Sequence, residues 1–132
     1  MKRILTILLI MLGLTMTAQA YESKNDDMII RISEIEVYPE YLDEYLTFAK
    51  EVAKVSIEKE DGVISIYPMM VMKNNNQIRI LEIYKNEEAY KNHIASVHFQ
   101  KYKQGTISMV KSLDLVDTYQ LVPENFSKIF KR

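Results

Sequence analysis

Between Pro39 and Gly62, Leu42, Tyr45, Leu46, Ala49, Val52, Ala53 and Ile57 recur at three- and four-residue steps, while Glu44, Lys50, Glu51, Lys54 and Glu58 take the opposite side. That periodicity predicts an amphipathic helix. Pro39 suits its first turn, and Glu40, Asp43 and Glu44 lie where the helix dipole favours negative charge. Asp61-Gly62 predicts its end, with the glycine in a left-handed cap. A helix with one apolar stripe must be laid on another element, so its flanks decide the fold.

Those flanks read as strands. Ile29 to Val37 is rich in β-branched residues, with Ile30 and Ile32 on one face and Ile35 and Val37 on the other. Val63–Met72 and Gln77–Lys85 form two further runs, joined by Lys73-Asn74-Asn75-Asn76 as an antiparallel hairpin. Asn86 can cap a second helix, Ser96 a third that runs to about Met109, and Ser112–Leu121 closes the domain as a fourth strand. The order βαββαβ is that of an α+β, ferredoxin-like fold with a four-stranded antiparallel sheet carrying its helices on one face. The domain is expected to span residues 28–122, with a basic tail at 123–132. Ile30 or Ile35, with Ile78, Ile80, Tyr67 and Leu113, would leave the other face too apolar for a soluble monomer. A homodimer is therefore expected.

The first twenty residues stand apart. Lys2 and Arg3, the apolar run Ile4–Leu14 and the small residues Ala18-Gln19-Ala20 have the three parts of a signal peptide at 1–20. Residues 21–27 read as a flexible leader, and the product is expected in the periplasm or outside the cell. The apolar run is about half of a membrane span, and with no cysteine in the chain a lipid-modified one cannot follow it. No stable membrane anchoring is expected. Removing those 20 from 132 residues leaves 112, enough for one core. The net charge of −1 becomes −3 once Lys2 and Arg3 leave, which disfavours nucleic acid as a partner. Zero cysteines exclude disulfides, thiolate nucleophiles and thiolate metal sites.

Glu60-Asp61-Gly62-Val63 with Tyr67, then Arg79-Ile80-Leu81-Glu82-Ile83-Tyr84 with Glu87-Glu88-Ala89-Tyr90, then His93 and His98-Phe99-Gln100-Lys101-Tyr102, come in an order and spacing that resembles the antibiotic biosynthesis monooxygenase family. The resemblance spans roughly Ile29 to Leu121. It implies a dimeric α/β barrel with a ligand cavity between sheet and helices in each subunit. It also implies oxidation of quinol-like aromatics without metal or flavin. Haem-degrading members of the superfamily use an Asn, Trp and His set, and this chain has no Trp.

Glu82 shares a strand face with Ile78, Ile80 and Tyr84, where alternation asks for an apolar residue. A carboxylate there needs a partner: either a structural ion pair, with Arg31 or Arg79 at hand, or a role in handling a proton. Glu34, in register with Ile30 and Ile32, is either a solvated edge residue or a substrate contact. His93 and His98 are the only histidines, and imidazole suits removal of a phenolic proton near neutral pH. His98 is favoured as catalyst, with His93 behind it and Glu82 as the acidic candidate. Five residues along one continuous helix turn the two rings about 140° apart, so a shared metal is not expected unless the break near Ser96 reorients them. Tyr67, Tyr84 and Phe99 are read as ordinary core or as walls that sandwich a flat ring.

No cofactor is expected. The expected function is a cofactor-independent monooxygenase acting on a small hydroxylated, quinol-like aromatic. The alternatives are a non-catalytic exported ligand-binding protein or a cofactor-free isomerase of a small carbonyl compound.

Overall fold

The computed structural model describes residues 25–130. The expected signal peptide at 1–20, and residues 21–24 of the leader, lie outside the described residues. The described residues fall into two compact units, one of residues 27–118 and one of residues 25–26 with 119–130. In the first unit, β1 (Ile29–Val37) leads through a 3-10 turn at Pro39–Tyr41 into α1 (Leu42–Lys59). Then follow β2 (Val63–Met70), β3 (Gln77–Tyr84), α2 (Glu87–Ala95), α3 (Val97–Thr106) and β4 (Val110–Asp117). The strands form one antiparallel sheet in the order β2-β3-β1-β4. This is the ferredoxin-like α+β arrangement expected from the sequence.

Several boundaries move, each because tertiary pairing overrides local pattern. β2 stops at Met70 because Val71 N–H already turns to Gln77 O at 2.9 Å. α3 stops at Thr106, short of Met109, whose carbonyl accepts the N–H of Tyr38. β4 lies earlier than the expected Ser112–Leu121, since its last ladder partner on β1 is Arg31, opposite Asp117, before Thr118 closes on the Ile30 carbonyl. Gly62 does not take a left-handed conformation, and α1 ends with Glu60 extended. A Cβ on Gly62 would lie 2.6 Å from the Cβ of Ala89, so glycine is needed there for close approach to α2.

The face of the sheet that meets the helices carries Ile35 and Val37 of β1, Ile78, Ile80 and Tyr84 of β3, and Val63 and Ile66 of β2, all buried. α1 contributes Tyr45, Ala49 and Ala53 to the same core. Ile35, Ile78 and Ile80 are therefore not part of an open sheet face, as the sequence reading allowed. The opposite face holds Ile30, Ile32, Leu81, Tyr67, Met69 and Val116 instead. On the helix side, Leu113 and Leu115 of β4 remain 58% and 46% exposed, because the helices lie over the other end of the sheet.

In the second unit, Asn25 Oδ1 accepts the N–H of Gln120 at 2.7 Å. A 3-10 turn at Pro123–Asn125 leads into the short α4 (Phe126–Ile129), where Phe126 and Phe130 lie 5.0 Å apart. Among the described residues no helix is long and apolar enough to cross a membrane.

Candidate active site

A cavity of about 620 Å³ lies between the helix-side face of the sheet and the helices, with mostly apolar walls. Its polar lining includes Arg31, Gln100 and Thr106 besides the groups that could handle a proton. β1 and β3 supply Ser33 and Glu82, α2 supplies His93, and the aromatic wall is Tyr84, Phe99 and Tyr102. Lys103 and Ile107, at the end of α3, and Lys111 and Leu113 of β4 also line the cavity.

Glu82 is held by hydroxyls. Ser33 Oγ donates to its Oε2, and the Tyr84 phenol donates to its Oε1 at 2.5 Å. Arg31 is opposite Glu82 in the β1–β3 register, yet its guanidinium pairs with Asp117 at 3.0 Å and lies over the Tyr90 ring. Arg79 lies on the other face, 4.0 Å from Glu34. The ion pair weighed for Glu82 is thus replaced by two neutral donors, which satisfy a carboxylate without neutralising it. Burial, and then the charge of Glu82, push the Tyr84 phenol well above the ordinary tyrosine range. Tyr45 and Tyr102 share a 2.6 Å hydrogen bond behind the cavity wall. Burial raises Tyr45, reinforced by Tyr102. Tyr102 is raised too, by burial, with the hydrogen bond to Tyr45 opposing in part.

The histidines are arranged by a break in the helix. α2 ends at Ser96, whose backbone is extended and whose side chain caps α3 by accepting the N–H of Phe99. The 140° separation expected for a continuous helix therefore does not apply. Both rings converge on Glu60, at the end of α1: His93 Nδ1 lies 2.8 Å and His98 Nε2 2.7 Å from the same Oε2. His93 is 3% exposed, with its ring 5.1 Å from Phe99 and 5.4 Å from Tyr84. His93 lines the cavity and His98 does not. Among the described residues every buried side-chain nitrogen or oxygen has a hydrogen-bond partner. His93 bonds through Nδ1, so Nε2 is the nitrogen left accessible to the cavity.

Of the residues singled out from the sequence, Glu82, Tyr84, His93 and Phe99 meet at the cavity. His98 stands behind His93, as a second donor to Glu60. Tyr67 is 62% exposed on the opposite sheet face, because a bulge between Val63 and Ser65 reverses the alternation beyond it. Glu34 is exposed on that same face, on an interior strand rather than an edge. Sequence reasoning missed Glu60 as a functional residue, along with Ser33 and Tyr102. The one available signal was the position of Glu60 two residues before a glycine in the motif that carried the resemblance.

The family model for antibiotic biosynthesis monooxygenase matches residues 28–105, which takes in the sheet up to β3 and both histidines. The chain belongs to the antibiotic biosynthesis monooxygenase family. A Bacteroides thetaiotaomicron protein bearing that designation is 43% identical, with a TM-score of 0.73 over 75% of this chain and 94% of its own. A Lactobacillus acidophilus protein designated a monooxygenase is 27% identical, with a TM-score of 0.68. It is matched over 72% of this chain but only 45% of its own length. A Nitrosomonas europaea member at 15% identity shares the fold, with a TM-score of 0.68 over 74% of this chain and 93% of its own. No curated protein matches the chain. Within the family fold, the cavity has an electron-rich aromatic wall, one carboxylate and one oriented imidazole. That set can hold a flat hydroxylated ring and move its protons.

Proposed function

We propose that this family member is a monooxygenase of small hydroxylated aromatics of the quinol class, working without an added cofactor. The observation that carries the reading is His93 at the cavity wall with its Nδ1 bonded to Glu60. A carboxylate that accepts from Nδ1–H fixes the tautomer and leaves Nε2 as a proton acceptor. The substrate ring lies against Phe99 and Tyr102, one hydroxyl meets His93, and Glu82, held by Ser33 and Tyr84, orients the other. Removing a phenolic proton gives an electron-rich anion that reacts with dioxygen, while the apolar walls keep bulk water away. One oxygen atom enters the ring as hydroxyl and the other leaves as water. The four electrons come from the quinol, which becomes a hydroxyquinone, so the balance needs no external reductant.

The test is incubation of the protein with a panel of hydroquinones, following oxygen uptake and hydroxyquinone formation. The expected result is stoichiometric oxygen consumption and no product under anaerobic conditions. Turnover that persists without oxygen would overturn the reading in favour of isomerisation.

The working unit is proposed to be a homodimer joined through the sheet face that carries Tyr67 and Met69, which are 62% and 44% exposed. Sedimentation at micromolar concentration checks this, and a stable monomer would contradict it. The protein is proposed to act outside the cytoplasm, after cleavage near Ala20. Cell fractionation with N-terminal sequencing of the product decides it.

A further inference from the structure

We propose that Glu60, His93 and His98 form a site for a divalent transition-metal ion of the zinc type, and that occupancy of this site switches His93 from proton acceptor to proton donor. Nδ1 of His93, Nε2 of His98 and one oxygen of Glu60 all lie within 4.8 Å of one another. They come from α2, α3 and the end of α1, and α3 packs on both of the other helices. Two imidazoles and a carboxylate are a donor set that zinc accepts, with a fourth position left for water.

The present nitrogen–oxygen separations of 2.8 and 2.7 Å are hydrogen-bond lengths. Ligands about 2.0–2.1 Å from a tetrahedral zinc stand roughly 3.3 Å apart. The nitrogens need therefore draw back from the oxygen by about half an ångström, and take the same spacing from one another, starting from within 4.8 Å. A second cavity, of about 340 Å³, reaches Glu60 from the surface. Its lining includes Asp61 and Glu88 beside Glu60, against Lys85 as the single cation, which favours entry of a positive ion.

The consequence follows from the tautomers of imidazole. With Nδ1–H donating to Glu60, Nε2 offers a lone pair to the cavity. A metal needs the lone pair of Nδ1, so the proton must sit on Nε2 instead. The ring changes tautomer without changing charge, and the group facing the cavity becomes a donor that cannot accept a phenolic proton. The binding half of this proposal stands on the cluster alone, whereas the inhibitory half rests on the function proposed above.

The experiment uses the full chain, stripped with a chelator and titrated with zinc chloride against a chromophoric competitor. One ion per chain is expected, with Glu60→Gln and His98→Asn each weakening binding by at least about tenfold. Circular dichroism checks that both variants are folded. If either fails to fold, 15N shifts of the labelled wild-type histidines decide instead, since zinc should move the His93 proton from Nδ1 to Nε2. Quinol oxidation should fall as the site fills and return with excess chelator.

The absence of stoichiometric binding would overturn the site, as would binding untouched by both substitutions. Binding without a change of His93 tautomer, or without inhibition of an active protein, would overturn the switch. If no quinol is turned over with or without zinc, the proposed function fails, and the titration and the nitrogen shifts still decide the metal site.

Discussion

The carboxylate of Glu60 lies 2.8 Å from Nδ1 of His93, although 33 residues separate them. The contact ties the end of α1 to the last turn of α2 and turns an otherwise buried ring into a directed one. Glu60 ends its helix in an extended conformation, which carries its side chain away from the α1 axis. The exclusion of a Cβ at Gly62 then lets α2 approach.

Replacing His93 with alanine is expected to lower kcat for quinol oxidation by about 100-fold or more, the usual worth of a positioned base, with a smaller change in KM. Glu60→Gln keeps the shape but weakens control of the tautomer, so kcat should fall by at least about tenfold. His98→Asn should cost less than either. Steady-state kinetics of the three variants check the order, and a His98 variant worse than the His93 variant would contradict it.

Glu82→Gln should retain a carbonyl acceptor for only one of the two hydroxyls now held, those of Ser33 and Tyr84. The expected outcome is a higher KM, with a loss of stability of about 1–3 kcal/mol from the unpaired donor. Urea unfolding alongside KM measurements checks both parts.

The buried phenols predict an alkaline limit to stability. Tyr45, Tyr84 and Tyr102 all have folded-state values raised above the unfolded one. Below about pH 10 both states keep these protons and the contribution is fully present. Above it the unfolded chain releases protons that the folded chain retains, so stability falls by about 1.4 kcal/mol per pH unit for each group. Urea denaturation between about pH 9 and pH 11 should show this slope, and Tyr84→Phe should make it shallower.

Two glycines should respond differently to alanine. At Gly62 the new Cβ meets the Cβ of Ala89, fixed to the α2 backbone, at 2.6 Å. At Gly105 it meets only the ring edge of Phe48, starting at 2.5 Å, and that ring can rotate. Gly62→Ala is expected to cost about 1–3 kcal/mol. Gly105→Ala should be nearer neutral, because its clash is offset by a gain in helix propensity of about 1 kcal/mol. Thermal unfolding of both variants checks the ranking.

The strands and α1 were legible because their signals are local: β-branched runs for the sheet and a seven-residue apolar stripe for the helix. The face on which Glu82 sits was legible for the same reason. Tyr67 was not, since the bulge after Val63 inserts one residue and reverses every later side chain, and nothing in Val63-Ile64-Ser65 announces it. The relation between His93 and His98 depended on the angle at Ser96, which is set by packing rather than spacing. Glu60 read as one more charge in a helix-ending run, because a contact across 33 residues leaves no periodic trace.

The central claim concerns a single proton, and nitrogen NMR of the histidine-labelled protein observes it directly. At neutral pH, with no metal added, His93 should show a protonated Nδ1 and an unprotonated Nε2, the latter shifting when a quinol analogue is added. A His93 ring carrying its proton on Nε2 would contradict the account, because the imidazole would then face the cavity with nothing to accept.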